Sequence, residues 1–339
     1  MSYKLTRIAP TPSGYLHLGN VFSFALTAGI ARRAGASILL RIDDLDRERV
    51  QRGYLEDIFE TLRFLEIPWD IGARDTEEFF ASFSQVHRLS LYSEALARLR
   101  AAGAVFGCSC SRAEVLRLSA EGVYPGTCRE RGLSLDAGEV AWRLRTEDDA
   151  VLRVNSFPAG EIEARLPAEM RDFVVRKKDG FPAYQLSSVV DDLHYGVDLI
   201  VRGQDLWAST LAQLYLSYPL DAAVFRDIRF YHHPLLTSPL GEKLSKSAGA
   251  TSIQYLRKRG LKAADVYAMI ARAFVGGDPS ASPGGLSDVA TRGGTVADAA
   301  TFAESTAGDR VDAASAVRDW AGLAALVLDN EAGRFSHHQ

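Results

Sequence analysis

The spacing of hydrophobic residues changes twice near the start of the chain, and it predicts a strand, a helix and a second strand. Residues 3–9 are largely β-branched or apolar, residues 21–34 carry apolar side chains at helical spacing, and residues 38–42 are again apolar. Gly19 and Asn20 provide a turn and a candidate N-cap in front of the helix. This pattern is typical of a β–α–β unit, whose two strands are parallel.

Polar segments follow both predicted strands, at residues 9–20 and 43–46. Because ligands bind beyond the carboxyl ends of parallel strands, we expect these segments to line one rim of the sheet. Residues 54–66 and 86–102 show the one-sided apolar pattern of amphipathic helices that cover a sheet. The predicted fold class is α/β with a Rossmann-type parallel sheet, and residues 1–105 form its first half.

The pattern changes near residue 106, where a cysteine-containing loop precedes short strand-like runs and charged turns. These runs occupy residues 140–146, 150–157 and 160–166. Short strands between charged turns are typical of a small α+β unit. We therefore predict an inserted subdomain over residues 106–170.

The α/β pattern returns over residues 171–250, which form the second half of the sheet domain. Asp179 and Gly180 lie between two strand-like runs, which predicts a β-hairpin within residues 173–192. Strand, helix and strand patterns follow, at residues 199–203, 204–218 and 228–233.

The last part of the chain has two different compositions. Residues 251–280 are predicted to be a helical segment that begins with basic side chains. Residues 281–339 are rich in Gly, Ala, Ser, Asp and Thr, which indicates a linker-like tail, with one possible helix at residues 312–328.

Composition and charge narrow the class of protein. Hydrophobic residues make up 47% and charged residues 24% of the chain, which favours a globular protein over a disordered or fibrous one. A net charge of -4 excludes a uniformly basic nucleic-acid coat but permits local contacts. Residues 176–178 and 257–259 are candidate RNA-backbone contacts, with solvated surface charges as the alternative. Without a signal segment or an apolar run of membrane-spanning length, we expect a cytoplasmic protein with no membrane partner.

The three cysteines, Cys108, Cys110 and Cys128, fall close together, and an odd number cannot pair completely within the chain. Their spacing favours a metal over three buried thiols. A tetrahedral structural zinc needs a fourth ligand, and no histidine lies between His87 and His194 to supply it. On the residues alone, water or a carboxylate could take that place.

Two loops have the chemistry of a nucleotide site. Residues 7–20, RIAPTPSGYLHLGN, lie between a strand and a helix, so His17 and the helix N-terminus could bind a phosphate; a solvent-facing loop is the alternative. Residues 241–247, GEKLSKS, place Lys243 and Lys246 where they could neutralise a departing pyrophosphate; the alternative is a solvated basic loop.

The HLGN and KLSKS segments resemble the two ATP signatures of class I aminoacyl-tRNA synthetases. The ordered segments RIAPTPSGYLHLGN, LLRIDDLD, AYQLSSVVDD, DLIVRGQDL and KLSKS are most similar to the glutamyl-tRNA synthetases, over about residues 5–250. The resemblance implies a class I catalytic domain with a zinc-containing, acceptor-binding insertion and a short helical segment after it. It also implies Mg²⁺ bound with ATP.

The resemblance assigns roles to individual positions. It implies that His17, Lys243 and Lys246 are catalytic, and that ATP is bound by His17, Gly19, Asn20 and Lys246. It implies that glutamate is bound by Arg7, Ala9, Thr11, Asp43, Tyr184 and Arg202. It nominates Tyr124, within YPGTC, as the fourth ligand of one structural Zn²⁺ per chain, beside Cys108, Cys110 and Cys128.

Asp43 departs from the family pattern, because the usual RIED reads RIDD here. The shorter side chain would leave a gap of about 1.5 Å to an ammonium group, at a cost of roughly 1–3 kcal/mol. This departure bears on amino-acid specificity rather than on reaction type.

The stretch after the KLSKS segment is shorter than the anticodon-binding part of ordinary family members. It resembles a shortened branch that transfers glutamate to queuosine in the anticodon of tRNA(Asp). The expected partners are ATP, L-glutamate and tRNA(Asp), and we expect a monomer. The alternatives are a short enzyme that charges a tRNA 3′ end or another small acceptor, a catalytically silent RNA-binding paralogue, or a class I-like nucleotidyltransferase such as pantothenate synthetase.

Overall fold

The computed structural model describes residues 3–119, 122–236, 252–276, 314 and 316–336, with side chains up to residue 330. The chain divides into two compact units. The first contains residues 1–12, 34–50 and 69–234, and the second contains residues 13–33, 51–68 and 235–339.

Among the described residues, the strands all belong to the first unit. They are β1 (Leu5–Ile8), β2 (Ser37–Leu40), β3 (Val105–Cys108), β4 (Ala141–Leu144), β5 (Val151–Ser156), β6 (Gly160–Arg165), β7 (Val174–Arg176), β8 (Leu199–Gly203) and β9 (Arg229–His233). The helices of both units, in chain order, are α1 (Leu18–Ala34), α2 (Arg52–Phe64), α3 (Thr76–Glu78), α4 (Leu89–Ala101), α5 (Arg112–Leu118), α6 (Tyr184–Tyr195), α7 (Trp207–Ser217), α8 (Ala223–Arg226), α9 (Ile253–Lys258), α10 (Ala263–Gly276) and α11 (Trp320–Ser336).

Parallel strands form the centre of the first unit. Strand β1 pairs with β2, and β9 pairs with both β8 and β5, all in parallel. Strand β8 lies beside β1, and just before it the backbone N–H of Asp198 donates to the carbonyl of Leu5 at 3.0 Å. Every residue of β1 and β8 is buried, as in a sheet that is covered on both faces. The prediction of a parallel-sheet α/β core is confirmed.

The predicted insertion contributes to two sheets. Strands β3, β4 and β7 form a separate three-stranded antiparallel sheet. Strands β5 and β6 form an antiparallel hairpin, and this hairpin extends the sheet of β8 and β9. Part of residues 106–170 therefore belongs to the central sheet, while the predicted domain boundaries remain predictions.

The second unit is helical in its described residues. The rings of Phe22 in α1 and Phe274 in α10 lie 5.8 Å apart, and the Tyr267 hydroxyl of α10 donates to the Leu65 carbonyl at 2.7 Å. A Cβ atom at Gly29 would lie 2.1 Å from the Cβ of Ala324, so α1 and α11 pack at a distance that only glycine permits. No helix of the described residues is long and apolar enough to cross a bilayer.

Three predicted elements differ from the structure. The turn at Asp179 and Gly180 is present, but the hairpin ladder is limited to one bridge between Arg176 and Pro182, because the chain enters helix α6 at Tyr184. The second strand-like run of the predicted hairpin is therefore a helix. The predicted helix after residue 251 divides at Gly260, whose φ of +80° ends α9. The tail helix predicted at 312–328 is displaced, since α11 begins at Trp320 and ends at Ser336.

Candidate active site and metal centre

His17 caps the N-terminus of α1 in the second unit. Its Nδ1 accepts hydrogen bonds from the backbone N–H groups of Gly19 and Asn20, at 3.1 and 3.3 Å, and the Asn20 Oδ1 accepts from the backbone N–H of His17 at 3.0 Å. An imidazole whose Nδ1 accepts hydrogen bonds carries its proton on Nε2 when it is neutral. His17 therefore presents a proton donor at the positive end of the helix dipole.

Gly19 leaves room for the His17 ring in this cap. A Cβ atom at position 19 would lie 3.1 Å from both Cε1 and Nδ1 of the His17 ring. A side chain here would therefore press on the imidazole, so Gly19 acts through the position of His17.

The described residues after the KLSKS segment approach the same loop. His17 forms an antiparallel bridge with Ser252, and the backbone N–H of Ile253 donates to the Leu16 carbonyl at 2.8 Å. The predicted Lys243 and Lys246 lie outside the described residues, so their roles remain predictions.

A buried arginine cluster, made of Arg7, Arg41, Asp43, Asp192 and Arg202, lies where strands of the first unit end. Asp192 Oδ1 accepts from Arg41 Nη1 at 2.7 Å and from Arg7 Nε at 3.2 Å. Arg41 also donates to both carboxylate oxygens of Asp43, at 2.8 and 3.0 Å. Although burial opposes it, the nearby carboxylates of Asp43 and Asp192 raise the pKa of Arg41 well above its usual value. These ion pairs fix Arg7 and Arg41.

Arg202 differs from the other two arginines because no carboxylate in the described chain lies within ion-pair distance of it. It is 3% exposed, at the end of β8. Its guanidinium donates to Thr210 Oγ1 at 3.2 Å and to Gln213 Oε1 at 3.0 Å. Its Nε is buried without a hydrogen-bond partner among the described residues. Burial lowers the pKa of Arg202 to about 10, and the positive charges of Arg7 and Arg41 act in the same direction.

The formal charges of the arginine cluster do not balance, because three guanidinium groups face two carboxylates. An uncompensated buried cation is costly, and an anionic ligand would remove the imbalance. A bidentate arginine is well suited to a carboxylate, so the cluster is a candidate site for a small acidic ligand.

The structure brings Arg7, Asp43 and Arg202 together, as three of the predicted glutamate-binding positions. Tyr184 begins helix α6, is 44% exposed, and lies near the Arg202 guanidinium. The remaining two positions, Ala9 and Thr11, flank Pro10, whose carbonyl accepts from the backbone N–H of Asp43 at 2.9 Å.

Asp43 is held by Arg41, and its predicted contact with glutamate remains a prediction. Both of its carboxylate oxygens accept hydrogen bonds from that guanidinium. The carboxylate that the family resemblance assigns to the substrate is therefore already paired within the protein.

Sequence reasoning missed Arg41, Ser188 and Asp192. Arg41 Nη2 donates to Ser188 Oγ at 3.2 Å, which ties the end of β2 to helix α6. The segments LLRIDDLD and AYQLSSVVDD contain all three residues, but no local spacing indicates that the two segments meet.

A second buried network supports helix α6 from another side. The Asp191 carboxylate accepts from Arg88 Nε at 2.8 Å, from the Tyr92 hydroxyl at 2.6 Å and from Gln85 Nε2 at 2.8 Å. Successive helical residues point in directions about 100° apart, so the two aspartates of this helix serve different networks. Asp192 faces the arginine cluster, and Asp191 fixes the helix that presents it.

The three cysteines converge in the first unit, where all three sulfur atoms lie within 4.8 Å of one another. Cys110 and Cys128 Sγ are 3.6 Å apart, and the Tyr124 hydroxyl lies 3.6 Å from Cys108 Sγ. The same hydroxyl accepts from the backbone N–H of Cys128 at 2.8 Å. The structure therefore groups all four predicted ligands.

The donor set fits a tetrahedral zinc ion. Zn–S bonds of about 2.3 Å place sulfur atoms roughly 3.8 Å apart, which is close to the spacing observed here. Although burial opposes it, hydrogen bonds from the Ser109 backbone and from the Cys110 and Tyr124 side chains lower the pKa of Cys128 to about 6. Burial and the neighbouring thiols raise the pKa of Cys110 to about 12, so Cys128 is the thiol of this pair that ionises more readily. Binding of zinc would release the protons of the remaining ligands.

The predicted RNA-contact stretches are partly engaged within the protein. Arg257 forms ion pairs with Asp57 and Glu60, and Lys177 pairs with Asp179. These pairs leave less free charge for RNA than the sequence suggests.

The parallel strands of the first unit, and the helices that connect them, define an α/β protein with a Rossmann-type core. The chain belongs to the tRNA synthetases of class I, E and Q type, since the model of that family's catalytic domain matches residues 5–282.

Two relatives are named glutamyl-Q tRNA(Asp) synthetase. The one from Thiobacillus denitrificans is 37% identical over 251 residues, which cover 73% of this chain and 79% of the relative. The one from Methylococcus capsulatus is 40% identical over 248 residues, which cover 73% and 77%. The crystal structure of a glutamate-tRNA synthetase from Elizabethkingia anophelis shares the fold, with a TM-score of 0.65 and 22% identity. That match covers 82% of this chain and 63% of the Elizabethkingia chain.

Proposed function

We propose that this protein activates glutamate with ATP and transfers the glutamyl group to queuosine in the anticodon of tRNA(Asp). The proposal of glutamate as the amino acid is based on Arg202, a buried arginine with no carboxylate partner in the described chain. Membership of the E and Q family supports the reaction type, and the names of the relatives support the acceptor.

In the first step, a carboxylate oxygen of glutamate attacks the α-phosphorus of ATP. An O–P bond forms to give glutamyl-adenylate, and pyrophosphate leaves with the electrons of the broken P–O bond. His17 donates from Nε2 to phosphate oxygens, and the N-terminus of α1 adds its dipole. Lys243 and Lys246 would neutralise the pyrophosphate, and Mg²⁺ would screen the triphosphate charge.

In the second step, a hydroxyl of the cyclopentene diol of queuosine attacks the carbonyl carbon of the adenylate. An ester bond forms, the hydroxyl proton is lost, and AMP leaves. No covalent enzyme intermediate is required, so catalysis comes from positioning and charge.

The arginine cluster would bind the amino acid. Arg202 pairs with a carboxylate of glutamate, and Arg7 supports the same anionic ligand while Asp192 and Arg41 hold the cluster together. Ala9, Thr11, Asp43 and Tyr184 complete the proposed lining.

Cys108, Cys110, Tyr124 and Cys128 would hold one zinc ion with a structural role. Four protein ligands leave no open position for a substrate, so the ion would crosslink the loops between β3 and β4. We expect elemental analysis of protein purified without chelator to find about one zinc per chain. A content near zero would remove the metal site.

ATP–pyrophosphate exchange with each of the twenty amino acids, with and without RNA, tests the activation step. We expect glutamate to support exchange without RNA. Exchange that is equally fast with aspartate or glutamine would contradict the proposed specificity, and the absence of exchange with every amino acid would favour a silent RNA-binding protein.

Attachment of labelled glutamate to trimmed tRNA(Asp) tests the acceptor. Removing the 3′ nucleotide spares the queuosine diol, whereas periodate destroys both it and the terminal ribose diol. We expect attachment to survive trimming and to require queuosine. Attachment that is lost on trimming but persists without queuosine would identify a short enzyme that charges the tRNA 3′ end.

A further inference from the structure

The side chains that contact the Arg202 guanidinium directly are neutral. Thr210 and Gln213 accept its hydrogen bonds, and the ring of Phe230 lies beneath it with a centroid distance of 5.4 Å. His232 Nε2 lies 2.8 Å from Thr210 Oγ1. Burial and the adjacent Arg202 charge lower the pKa of His232 to about 3, so this imidazole is uncharged near neutral pH. Arg202 is therefore held by hydrogen bonds without a counter-ion.

Both hydrogen-bond partners come from one face of helix α7. Thr210 and Gln213 are three residues apart, which places them side by side, and both are completely buried. The end of β8 and this helix face thus fix the Arg202 side chain in one direction. The amide oxygen of Gln213 orients the Arg202 guanidinium, but it does not neutralise the positive charge of that group.

Gln213 is not the residue that local stability alone would favour. Its Nε2 is buried without a hydrogen-bond partner among the described residues. A glutamate side chain has the same shape, lacks that unsatisfied donor, and would form a buried ion pair with Arg202. The neutral amide therefore keeps both an unpaired cation and an unpaired donor in the interior.

We propose that Gln213 is a positioning residue that orients Arg202 while leaving its charge uncompensated, so that a carboxylate of the amino-acid substrate supplies the counter-ion. This inference rests on the proposed function and deepens it. It makes position 213 the point at which the protein keeps its binding site anion-selective, since a carboxylate there would occupy Arg202 in place of the substrate.

Two isosteric variants separate charge from hydrogen bonding. Gln213→Glu keeps an acceptor opposite Arg202 but adds a negative charge, whereas Gln213→Met removes the acceptor and stays neutral. We expect Q213E to raise KM for glutamate in ATP–pyrophosphate exchange by about 10- to 100-fold, with kcat and the KM for ATP little changed. We expect Q213M to raise the KM for glutamate less than Q213E does.

Which of the two variants has the higher KM for glutamate decides whether the charge or the hydrogen bond of residue 213 matters. If Gln213 served only as a structural hydrogen-bond acceptor, Q213E would keep the KM of the wild type and Q213M would be the more damaging change. That result would overturn the inference.

Thermal unfolding without ligands provides a readout that does not depend on activity. We expect Q213E to have a midpoint at or above that of the wild type, because it pairs a buried cation; a clearly lower midpoint would contradict an uncompensated Arg202. If the wild-type protein showed no exchange with any amino acid, the proposed function would fail, and the midpoint would still test the charge state of Arg202.

Discussion

Acid should destabilise this protein through two adjacent buried histidines at the end of β9. Burial lowers the pKa of His232 to about 3 and that of His233 to about 4. The Arg202 charge adds to the effect at His232, while the carbonyl of Pro234 partly opposes it at His233. An unfolded histidine has a pKa of about 6.5, so the unfolded chain binds protons that the folded chain does not.

The sign and size of the change in the free energy of unfolding follow from this difference in proton binding. Stability from the neutral histidines is fully present above about pH 6.5 and is lost as the pH falls, until the folded-state values near 3 and 4 are reached. Between pH 7 and pH 5 each histidine should remove about 2 kcal/mol from the free energy of unfolding, or about 4 kcal/mol for both.

Chemical denaturation at pH 7 and pH 5 measures this loss. In His232→Gln and His233→Gln, the acid-induced loss should be about 2 kcal/mol smaller than in the wild type. His194 is exposed on α6, so His194→Gln is the matched control and should keep the full loss. Carboxylates and cysteines are the same in all variants. Any difference between variants in the acid-induced loss of stability therefore comes from the substituted histidine. Equal losses in the wild type and in both buried-site variants would refute the reasoning.

Three further substitutions test the proposed sites. Tyr124→Phe removes the acceptor of a buried Cys128 N–H, so we expect lower zinc retention against a chelator and a stability loss of about 1–3 kcal/mol; unchanged zinc affinity would remove Tyr124 from the ligand set. Gly19→Ala should displace the His17 ring and slow exchange by about 10- to 100-fold in a folded protein, and a normal rate would show that the imidazole position is not critical. Lys246→Ala should lower the exchange rate with little change in the thermal midpoint; an unaltered rate would exclude it from the mechanism.

Much of the fold could be predicted because its elements have local signals. The first strand and helix appear in the spacing of apolar residues. The N-cap predicted at Asn20 is wrong, because α1 already begins at Leu18 and His17 accepts the hydrogen bonds of the first backbone N–H groups. Helix α6 was not predicted, because Tyr184 and the residues after it contain an apolar run that also suits a strand. The preceding Pro182 limits the hairpin to one bridge, and this depends on the chain geometry around it.

The pairing within the candidate site could not be predicted for a different reason. Arg41 and Asp192 are 151 positions apart, and only the folded chain brings them within 2.7 Å. The neighbouring Asp191 and Asp192 look equivalent in the sequence, yet one is bound by Arg88 and the other by Arg41. Motifs therefore nominate positions, whereas the state of each charge depends on contacts that are distant in the chain.

Charge and length would discriminate between amino acids in different ways at this site. Glutamate carries one net negative charge and matches the single excess positive charge of the arginine cluster, whereas glutamine is a net-neutral zwitterion and would leave that excess charge uncompensated. Aspartate has the same charge as glutamate, so only distance can exclude it. Asp43 is shorter than the family's glutamate, and its charge is already paired with Arg41. Position 43 would therefore affect the length of amino acid that fits the site, and not the charge balance of the site. The aspartate arm of the exchange assay is therefore the more demanding test of the geometry, and the glutamine arm is the test of the uncompensated arginine.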